Sequence, residues 1–287
     1  MTILLALGSS LLWGVADFLG GKTSRTQLTV LVVLMSQLAG LVTVSIVAVA
    51  AGSFTASRGY LPWAIGAGLA GASAVLLFYR GLAIGTMGVV APIAAVGVVI
   101  PVVIGIFGGA VPSAVCIAGI VLAIAGVVVA ARPAESGART DRHVRSVIYA
   151  VGAAAGFGLL QYAISGGAAH STVMTLLVMR CTSVPVLAVV TLVSLRARCR
   201  RGEPAGSLSV GVAVLMIVIG IFDVSANLLF GLATVSGALP VVAVLGSLYP
   251  AATVLLARII DHEKMSRRQD AGVVAAIAGV GMIAGGS

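Results

Sequence analysis

Charged residues are scarce in this chain. Asp, Glu, Lys and Arg make up 9% of its 287 residues, whereas a soluble domain carries about 25%. Hydrophobic residues make up 60%, and the mean hydropathy is +1.19. This composition excludes a soluble domain with a large core and predicts a polytopic membrane protein. The 37 glycines fit that prediction, because glycine is frequent in membrane helices and permits close helix packing.

The sequence also lacks the motifs of metal, nucleotide and disulfide chemistry. Its three cysteines, Cys116, Cys181 and Cys199, have no CxxC or metal-ligand spacing, and the chain contains no HExxH and no Walker motif. We therefore expect no metal site, no cofactor and no direct ATP coupling, and we expect a protein that is not an enzyme. The net charge of +9 does not indicate a nucleic-acid partner, because the basic residues fall in short loops between apolar runs.

Long apolar runs fill most of the chain. A membrane helix needs about 20 apolar residues. The segments that meet this requirement are 2–20, 29–51, 61–81, 86–108, 112–131, 147–165, 172–195, 209–231, 236–257 and 269–285. Runs of this length exclude the short alternating strands of a membrane barrel. We therefore predict an all-α integral membrane protein with ten transmembrane helices.

The distribution of Lys and Arg predicts the orientation in the membrane. Fifteen of the 17 basic residues fall in the odd-numbered connections between the segments. The positive-inside rule places such connections in the cytoplasm, so both termini are expected outside the cytoplasm, in a multi-pass protein of the cell membrane. The N-terminus lacks the basic region of a signal peptide, so the first segment is expected to be retained as a span.

Short sequences recur in the same order in the two halves of the chain. The matches are 73–78 with 225–230, Gly-Leu-Ala at 81 and at 231, 97–101 with 246–250, and 118–126 with 271–279. They predict a five-helix repeat at 1–131, a cytoplasmic linker at 132–146 and a second five-helix repeat at 147–287. Because five is odd, the second repeat is inverted, as in several transporter folds whose substrate binds near the midplane. The alternative is a duplicated bundle with a purely structural role.

Three stretches carry a family resemblance. They are 12–21 (LWGVADFLGG), 91–93 (API) in the fourth segment and 263–272 (EKMSRRQDAG) before the last one. These stretches resemble the EamA-like ten-helix members of the drug/metabolite transporter superfamily. The resemblance implies a helix bundle with a central cavity and with the fifth helix of each repeat outside it. It also implies export or exchange of amino acids, related metabolites or drugs.

One position departs from the pattern of that family. The family often has an acidic residue after the fourth segment, but residues 109–111 (GAV) stand there, opposite 262–264 (HEK) in the second repeat. A symmetric pair of gating acids is therefore not expected. Glu263 is instead expected to anchor its loop by pairing locally with Lys264 or Arg267.

Three charged residues, Asp17, Arg180 and Asp223, lie well inside predicted spans. A charge at the middle of a membrane helix costs about 2.5–3.5 kcal/mol, so such residues face the bundle interior and indicate a functional site. Arg180 is expected to hold an anionic group such as a carboxylate. Asp17 or Asp223 is expected to hold an amine or a coupling proton, since burial favours the neutral form of a carboxyl group. The alternative is that Arg180 neutralises one acid in a structural ion pair.

Uncharged polar residues in the spans extend this candidate site. Asn227 lies one helical turn after Asp223, so the two share a face. The second repeat has Gln161 where the first has Asp17, so this charge distinguishes otherwise matched halves. Tyr249 is expected to be a packing residue. The predicted substrate-binding or coupling residues are Trp13, Asp17, Gln37, Gln161, Arg180, Asp223 and Asn227.

Prolines inside the fourth and ninth segments are candidate hinges. Each removes a backbone hydrogen bond and bends its helix. Pro92, Pro101, Pro240 and Pro250 lie at matching places in the two repeats, so they are expected to be hinge or cavity-shaping positions. The alternative is a tolerated irregularity in a tightly packed bundle.

Together these patterns favour a secondary transporter that moves small metabolites such as amino acids, or drugs, by alternating access around a midplane cavity. Its expected partners are a small-molecule substrate, the lipid bilayer and, as a candidate, a coupling proton. Two other classes stay open. An integral membrane lipid-processing enzyme would need a polar cluster at the membrane interface, and a non-transporting scaffold or sensor would need no central cavity.

Overall fold

All regular structure in the described part of the chain is helical. The computed structural model describes residues 1–107, 113–130, 138–202, 208–236, 239–263 and 265–285, and no strand occurs among them. The predicted all-α class is therefore confirmed. Among the features singled out in the sequence, residues 109–111, residues 132–137 of the linker and Lys264 lie outside the described residues.

The described residues form helices joined mainly by short connections. The helices are α1 (Thr2–Thr26), α2 (Thr29–Ala50), α3 (Leu61–Ile84), α4 (Met87–Ala95), α5 (Val99–Phe107), α6 (Ala114–Ala130), α7 (Ala138–Arg200), α8 (Val210–Ser236), α9 (Leu239–Gly246), α10 (Tyr249–Ile260) and α11 (Arg267–Gly285). Single turns of 3-10 helix occupy Ser53–Thr55, Arg58–Tyr60 and Val96–Val98.

The longest helix, α7, is interrupted once. Ser171 has extended backbone angles (φ −169°, ψ 111°), which divide α7 into two helical segments. The Ser171 hydroxyl accepts a hydrogen bond from the N–H of Met174 at 3.3 Å, as serine does at helix N-termini. The first segment begins at Ala138, inside the predicted linker 132–146, so the last part of that linker is helical.

The fourth and ninth predicted segments are each broken into two helices. A 3-10 turn at Val96–Val98 separates α4 from α5, and residues 247–248 separate α9 from α10. Pro101 and Pro250 follow these breaks, and neither has an N–H group to donate to the carbonyl four residues earlier. The missing hydrogen bonds explain why segments predicted as single kinked helices are discontinuous.

Several helices expose apolar side chains to their surroundings. On α2, Val42, Ile46 and Val49 lie along one stripe and are 60–69% exposed. In water such faces would form large apolar patches, which soluble proteins rarely expose. Five helices in the described part of the chain, α1, α2, α3, α7 and α8, are long and apolar enough to cross a membrane. These are the features of an all-helical membrane protein.

The helices that carry polar residues surround the centre of the bundle. The helix α1 packs on α8 and α10, α2 packs on α7 and α8, and α3 packs most extensively on α7. In contrast, α6 and α11 pack mainly on each other and reach the rest of the bundle chiefly through α4 and α9. Side chains from α1, α2, α3, α7, α8 and α10 therefore converge on one central region.

Glycines let helices approach one another closely at two places that matter for this packing. A Cβ atom at Gly126 of α6 would fall on the backbone of Ala276 of α11. A Cβ atom at Gly220 of α8 would fall on the carbonyl of Ser36 of α2. Close approach through small residues is typical of membrane helices, whose association depends on van der Waals packing.

The contact between α2 and α8 generates a testable prediction. We expect Gly220→Ala to destabilise the protein by about 1–3 kcal/mol, because the added methyl group would overlap the Ser36 carbonyl and force the helices apart. Gly211→Ala, on the same helix, is the control, since its added Cβ would have no atom within 4 Å. Thermal unfolding in detergent measures both variants. Equal unfolding temperatures would contradict the close approach.

Candidate functional site

Arg180 of α7 is a buried cation at the centre of the bundle. Its side chain is 3% exposed, and its Nη2 donates to Asp223 Oδ2 of α8 at 2.5 Å. Its Nη1 donates to the amide oxygen of Gln37 on α2, which also accepts a hydrogen bond from the Ser183 hydroxyl at 2.9 Å. The structure thus contains the ion pair that the sequence left open as an alternative. One guanidinium group connects three helices.

Asp223 and Asn227 lie on one face of α8, as the sequence predicts. Asn227 Nδ2 donates to the Asp223 carbonyl oxygen at 2.6 Å and to its carboxylate Oδ1 at 3.3 Å. The carboxylate therefore has a donor on each oxygen, Arg180 on one and Asn227 on the other. The amide oxygen of Asn227 has no hydrogen-bond partner among the described residues.

Asp17 of α1 is a second acid at the centre of the bundle, and it is buried, with 8% of its surface exposed. In the part of the chain that the structure describes, its carboxylate has neither an ion-pair partner nor a hydrogen-bond donor. The nearby Tyr79 hydroxyl donates instead to the carbonyl of Ala16, at 3.4 Å. A buried carboxylate without a partner is costly, so a cationic ligand or a proton would be strongly stabilised here.

These polar groups line one central cavity, whose empty space, counted out to open solvent, is about 550 Å³. All the residues predicted for substrate binding or coupling contribute to its wall: Trp13, Asp17, Gln37, Gln161, Arg180, Asp223 and Asn227. They come from α1, α2, α7 and α8, which are far apart in sequence. The fold therefore brings the predicted set together, and its role in binding or coupling stays a prediction.

The wall that α3 contributes was not predicted from the sequence. It consists of small residues with one valine: Ala67, Gly68, Gly71, Ala72 and Val75. Spacings of three and four residues place them on one face of the helix, and this pattern of small residues is the signal that could have indicated them. Their short side chains leave the space into which the polar groups of the other helices project.

The aromatic rings of Trp13, Phe157 and Tyr249 form another wall of the central cavity, and Phe230 packs behind Trp13. The ring centroid of Trp13 lies 5.4 Å from that of Phe230 and 6.4 Å from that of Tyr249, and Phe157 lies 6.4 Å from Tyr249. Tyr249 packs in this cluster, as the sequence predicts. It also lines the cavity, and its buried hydroxyl has no hydrogen-bond partner within the described ranges.

Several buried polar atoms of the cavity lack a partner in the described part of the protein. They are Arg180 Nε, Gln161 Oε1, Asn227 Oδ1 and the Tyr249 hydroxyl. A buried polar atom without a partner costs about 1–3 kcal/mol, so the cavity favours water or a ligand that supplies the missing hydrogen bonds. The two amide oxygens and the carboxylate of Asp17 are hydrogen-bond acceptors that have no donor among the described residues. This set favours a ligand that carries N–H or O–H donors.

A second group of charges, the loop ion cluster, consists of Lys22, Arg25, Asp261 and Glu263. Asp261 lies 2.6 Å from Lys22 Nζ and 2.9 Å from Arg25 Nη1, and Glu263 lies 3.5 Å from Arg25 Nη2. The two basic residues belong to the last turns of α1, whereas the acids belong to the loop between α10 and α11. The cluster therefore ties that loop to the end of α1.

Glu263 also binds the start of α4. Its carboxylate accepts hydrogen bonds from the N–H groups of Met87 at 2.8 Å and Gly88 at 3.0 Å, where the free N–H groups of a helix favour a negative charge. These partners are distant in sequence, and the predicted local partner Arg267 is not among them. Lys264, the other predicted local partner, lies outside the described residues. Burial raises the pKa of Glu263 above its usual range, although the N–H groups of Gly88 and Met87 and the charge of Arg25 act to lower it.

The prolines predicted as hinges lie in the broken segments. Pro92 and Pro101 are buried in α4 and α5, and Pro250 is buried in the first turn of α10. Pro240 belongs to α9, and its side chain lies outside the described part. Tyr249 lines the central cavity and directly precedes Pro250, so the break in the ninth segment lies beside the cavity wall. The hinge and cavity-shaping roles stay predictions.

Comparisons with known proteins bear on the fold. No model of a known protein family matches the chain, and no curated protein matches it. Among solved structures, 24 chains match. One of them, described only as the crystal structure of a protein, has a TM-score of 0.67 and 16% sequence identity, and the match covers 98% of this chain and 95% of the other. At that identity the likeness shows a shared fold along almost the whole chain and carries no statement about function.

The ion pair at the cavity generates a prediction about stability. We expect Arg180→Ala to destabilise the protein by about 3 kcal/mol, because it leaves the partly buried carboxylate of Asp223, which is 18% exposed, without its cation. The double variant Arg180→Ala/Asp223→Ala removes both charges and should recover part of that loss. Arg58→Ala, at an exposed position, is the control and should have little effect. Unfolding in detergent measures all three, and a double variant less stable than Arg180→Ala would contradict this account.

The raised pKa of Glu263 generates a prediction about pH. A carboxyl group whose pKa is raised by folding binds its proton more tightly in the folded state, so its contribution to stability is lost as the pH rises through the folded pKa. Glu263→Gln removes this titration. The unfolding temperature of the variant should therefore rise relative to that of the unmodified protein as the pH increases from about 4 to about 7. A constant difference across this range would contradict the prediction.

Proposed function

We propose that this protein is an EamA-like secondary transporter that moves small amine-bearing metabolites, such as amino acids, or drugs, by alternating access. The observation that carries the proposal is the central cavity, in which buried charges meet buried polar atoms that lack partners in the described residues. Charges at depth in a membrane protein are costly and mark functional sites. Binding of a polar substrate gives these groups partners and explains why the chain retains them.

The helices support an arrangement of ten membrane spans. In this arrangement α1, α2, α3, α6, α8 and α11 each form one span, and the two segments of α7 form the sixth and seventh. The fourth and ninth spans are the discontinuous pairs α4–α5 and α9–α10. Discontinuous helices are typical of transporters, in which irregular backbone is tolerated where it lines a cavity or is buried in protein.

Reciprocal contacts support a two-fold relation between the halves of the chain. Gly126 packs against the backbone of Ala276, and Gly279 packs against that of Ala123. The sequence repeat makes Gly126 the counterpart of Gly279, and Ala123 the counterpart of Ala276. Counterparts that exchange contacts in this way are the mark of an interface with two-fold symmetry. The contacts therefore favour two inverted five-helix repeats.

Aromatic contacts beside the cavity support the same relation. The ring centroids of Trp13 and Phe230 lie 5.4 Å apart, and those of Phe157 and Phe78 lie 5.3 Å apart. In the repeat Trp13 corresponds to Phe157, and Phe230 corresponds to Phe78. Each pair joins one half of the chain to the other, so the two contacts are equivalent.

The hydrogen bond between Gln37 and Arg180 lies at the centre of this relation. Gly68 of α3 packs against α7 one residue before Arg180, and Gly220 of α8 packs against α2 one residue before Gln37. Gly68 and Gly220 are separated by the same number of residues as the matched sequences 73–78 and 225–230, which follow them in the third and eighth spans. The two glycines are therefore counterparts in the repeat. On this basis Gln37 and Arg180 are counterparts that meet across the pseudo-two-fold axis.

The charges of the cavity favour a substrate with an amine. Arg180 is already held by an acid and an amide, which leaves its Nε without a partner in the described residues. The carboxylate of Asp17 and the amide oxygens of Gln161 and Asn227 offer acceptors to an ammonium group. A small amino acid would place its ammonium group among these acceptors and its carboxylate near Arg180. When no amine is bound, a proton on Asp17 would serve as the coupling ion.

The loop ion cluster is placed to act as a gate in the proposed alternating-access transport cycle. The distribution of basic residues favours an orientation with both termini outside the cytoplasm, which puts this cluster at the cytoplasmic face of the cell membrane. There it joins the end of α1 to the α10–α11 loop and to the start of α4. Opening of the cavity toward the cytoplasm would separate these elements and break the ion pairs.

Flux through reconstituted vesicles tests the proposed function. Purified protein in proteoliposomes would be offered a panel of radiolabelled amino acids and amines, with and without a pH gradient. Asp17→Asn should reduce the flux of a transported amine about tenfold or more, because it removes the carboxylate that faces the ammonium group. Asp270→Asn is the matched control, since that acid pairs with Arg258 at the surface. Normal expression with unchanged flux for Asp17→Asn would overturn the assignment of the cavity.

A further inference from the structure

Away from the central cavity, the structure contains a second concavity, the basic cleft. It lies where the end of α1, the start of α2, the end of α3 and the last turns of α7 meet. Two adjoining pockets form it, and both are lined by Leu28, Arg80 and Arg198. The larger pocket holds about 1820 Å³ of empty space, counted out to open solvent. Among the described residues, none lines both the basic cleft and the central cavity, so the two are separate sites.

The basic cleft is lined by four arginines, Arg25, Arg80, Arg198 and Arg201. Arg25 is paired with the acids of the loop ion cluster. Arg198 and Arg201 also have interaction partners of their own. The four arginines therefore bring their guanidinium groups together at the ends of membrane helices. An anion placed among these guanidinium groups would be stabilised by each of them.

Apolar side chains line the basic cleft beside the arginines. Leu31, Ile84 and Leu195 belong to the larger pocket, and Leu76 and Leu77 belong to the smaller one. A soluble anion would contact only the guanidinium groups. A molecule with an anionic head and apolar chains would contact both kinds of surface.

A buried hydroxyl in the basic cleft gives independent evidence for a ligand. Ser24 lines the larger pocket and is 6% exposed, and its Oγ has no hydrogen-bond partner within the described part of the chain. A buried hydroxyl without a partner is unfavourable. An oxygen of a ligand bound in the cleft would accept the missing hydrogen bond.

We propose that the basic cleft binds the phosphate headgroup of an anionic phospholipid, whose acyl chains lie along the apolar side chains of the cleft. Guanidinium groups bind phosphate oxygens through paired hydrogen bonds. Basic pockets between membrane helices at the cytoplasmic side hold such headgroups. The cleft is formed by α1, α2, α3 and α7, which also carry much of the cavity wall, so the bound lipid contacts the helices that position Asp17, Gln37 and Arg180.

Lipid titration followed by native mass spectrometry tests this proposal on the purified full chain. Phosphatidylglycerol should bind more tightly than phosphatidylcholine. Arg80→Gln should weaken phosphatidylglycerol binding about fivefold, and Arg80→Gln/Arg198→Gln about 25-fold, with no change for phosphatidylcholine. Arg268→Gln, at an exposed position outside the cleft, is the matched control and should bind like the unmodified protein.

Inorganic phosphate separates a lipid from a soluble ligand. A lipid site keeps its phosphatidylglycerol in millimolar inorganic phosphate, because the acyl chains contribute to binding. Displacement under these conditions would overturn the lipid assignment and indicate a site for a soluble phosphate. Equal phosphatidylglycerol binding by the unmodified protein and by both folded variants, with folding checked by thermal unfolding, would overturn the cleft as the site. None of these outcomes depends on transport, so the transporter proposal can fail or hold independently.

Discussion

The bundle is organised around the burial of one guanidinium group. Removing Arg180 from water is costly, and the ion pair with Asp223 and the hydrogen bond to Gln37 offset that cost. These partners belong to α8 and α2, so the same interactions that stabilise the charge fix three helices relative to one another. The close approach of Gly220 to α2 brings the partners within reach. The polar centre and the helix packing therefore depend on each other.

The two halves of the chain contribute different residues to this centre. In the proposed repeat, Asp17 stands opposite Gln161 and Gln37 stands opposite Arg180. A strictly symmetric centre would place like charges near the axis, where they would repel in a medium of low dielectric constant. Replacing one member of each pair with an amide removes this repulsion and leaves Asp17 without a cation among the described residues. In this proposed repeat, the charge of the ligand that the cavity accepts is therefore set by the residues that differ between the two halves, and not by the fold that the halves share.

The sequence predicted some features of the structure better than others, for physical reasons. The helical class and the polar residues of the cavity were predictable, because a charge such as Arg180 is conspicuous in an apolar run. The cavity wall that includes Gly68 was not, because small residues are common throughout membrane helices. The partners of Glu263 were not predictable either, because they depend on how α1 and α4 pack against the loop after α10. The number of spans and their orientation rest on the sequence pattern.

The position of Asp17 relative to the loop ion cluster explains how ligand binding could affect the proposed gate. Lys22 follows Asp17 by five residues on α1, which corresponds to about 7.5 Å along the helix axis. Both belong to one unbroken helix, so a ligand that moves α1 at Asp17 also moves Lys22 and Arg25 relative to Asp261. The ion pairs are short and directional, and a shift of a few ångströms would break them. A substrate that binds Asp17 in one position of α1 more tightly than in the other therefore changes the stability of the gate without contacting it.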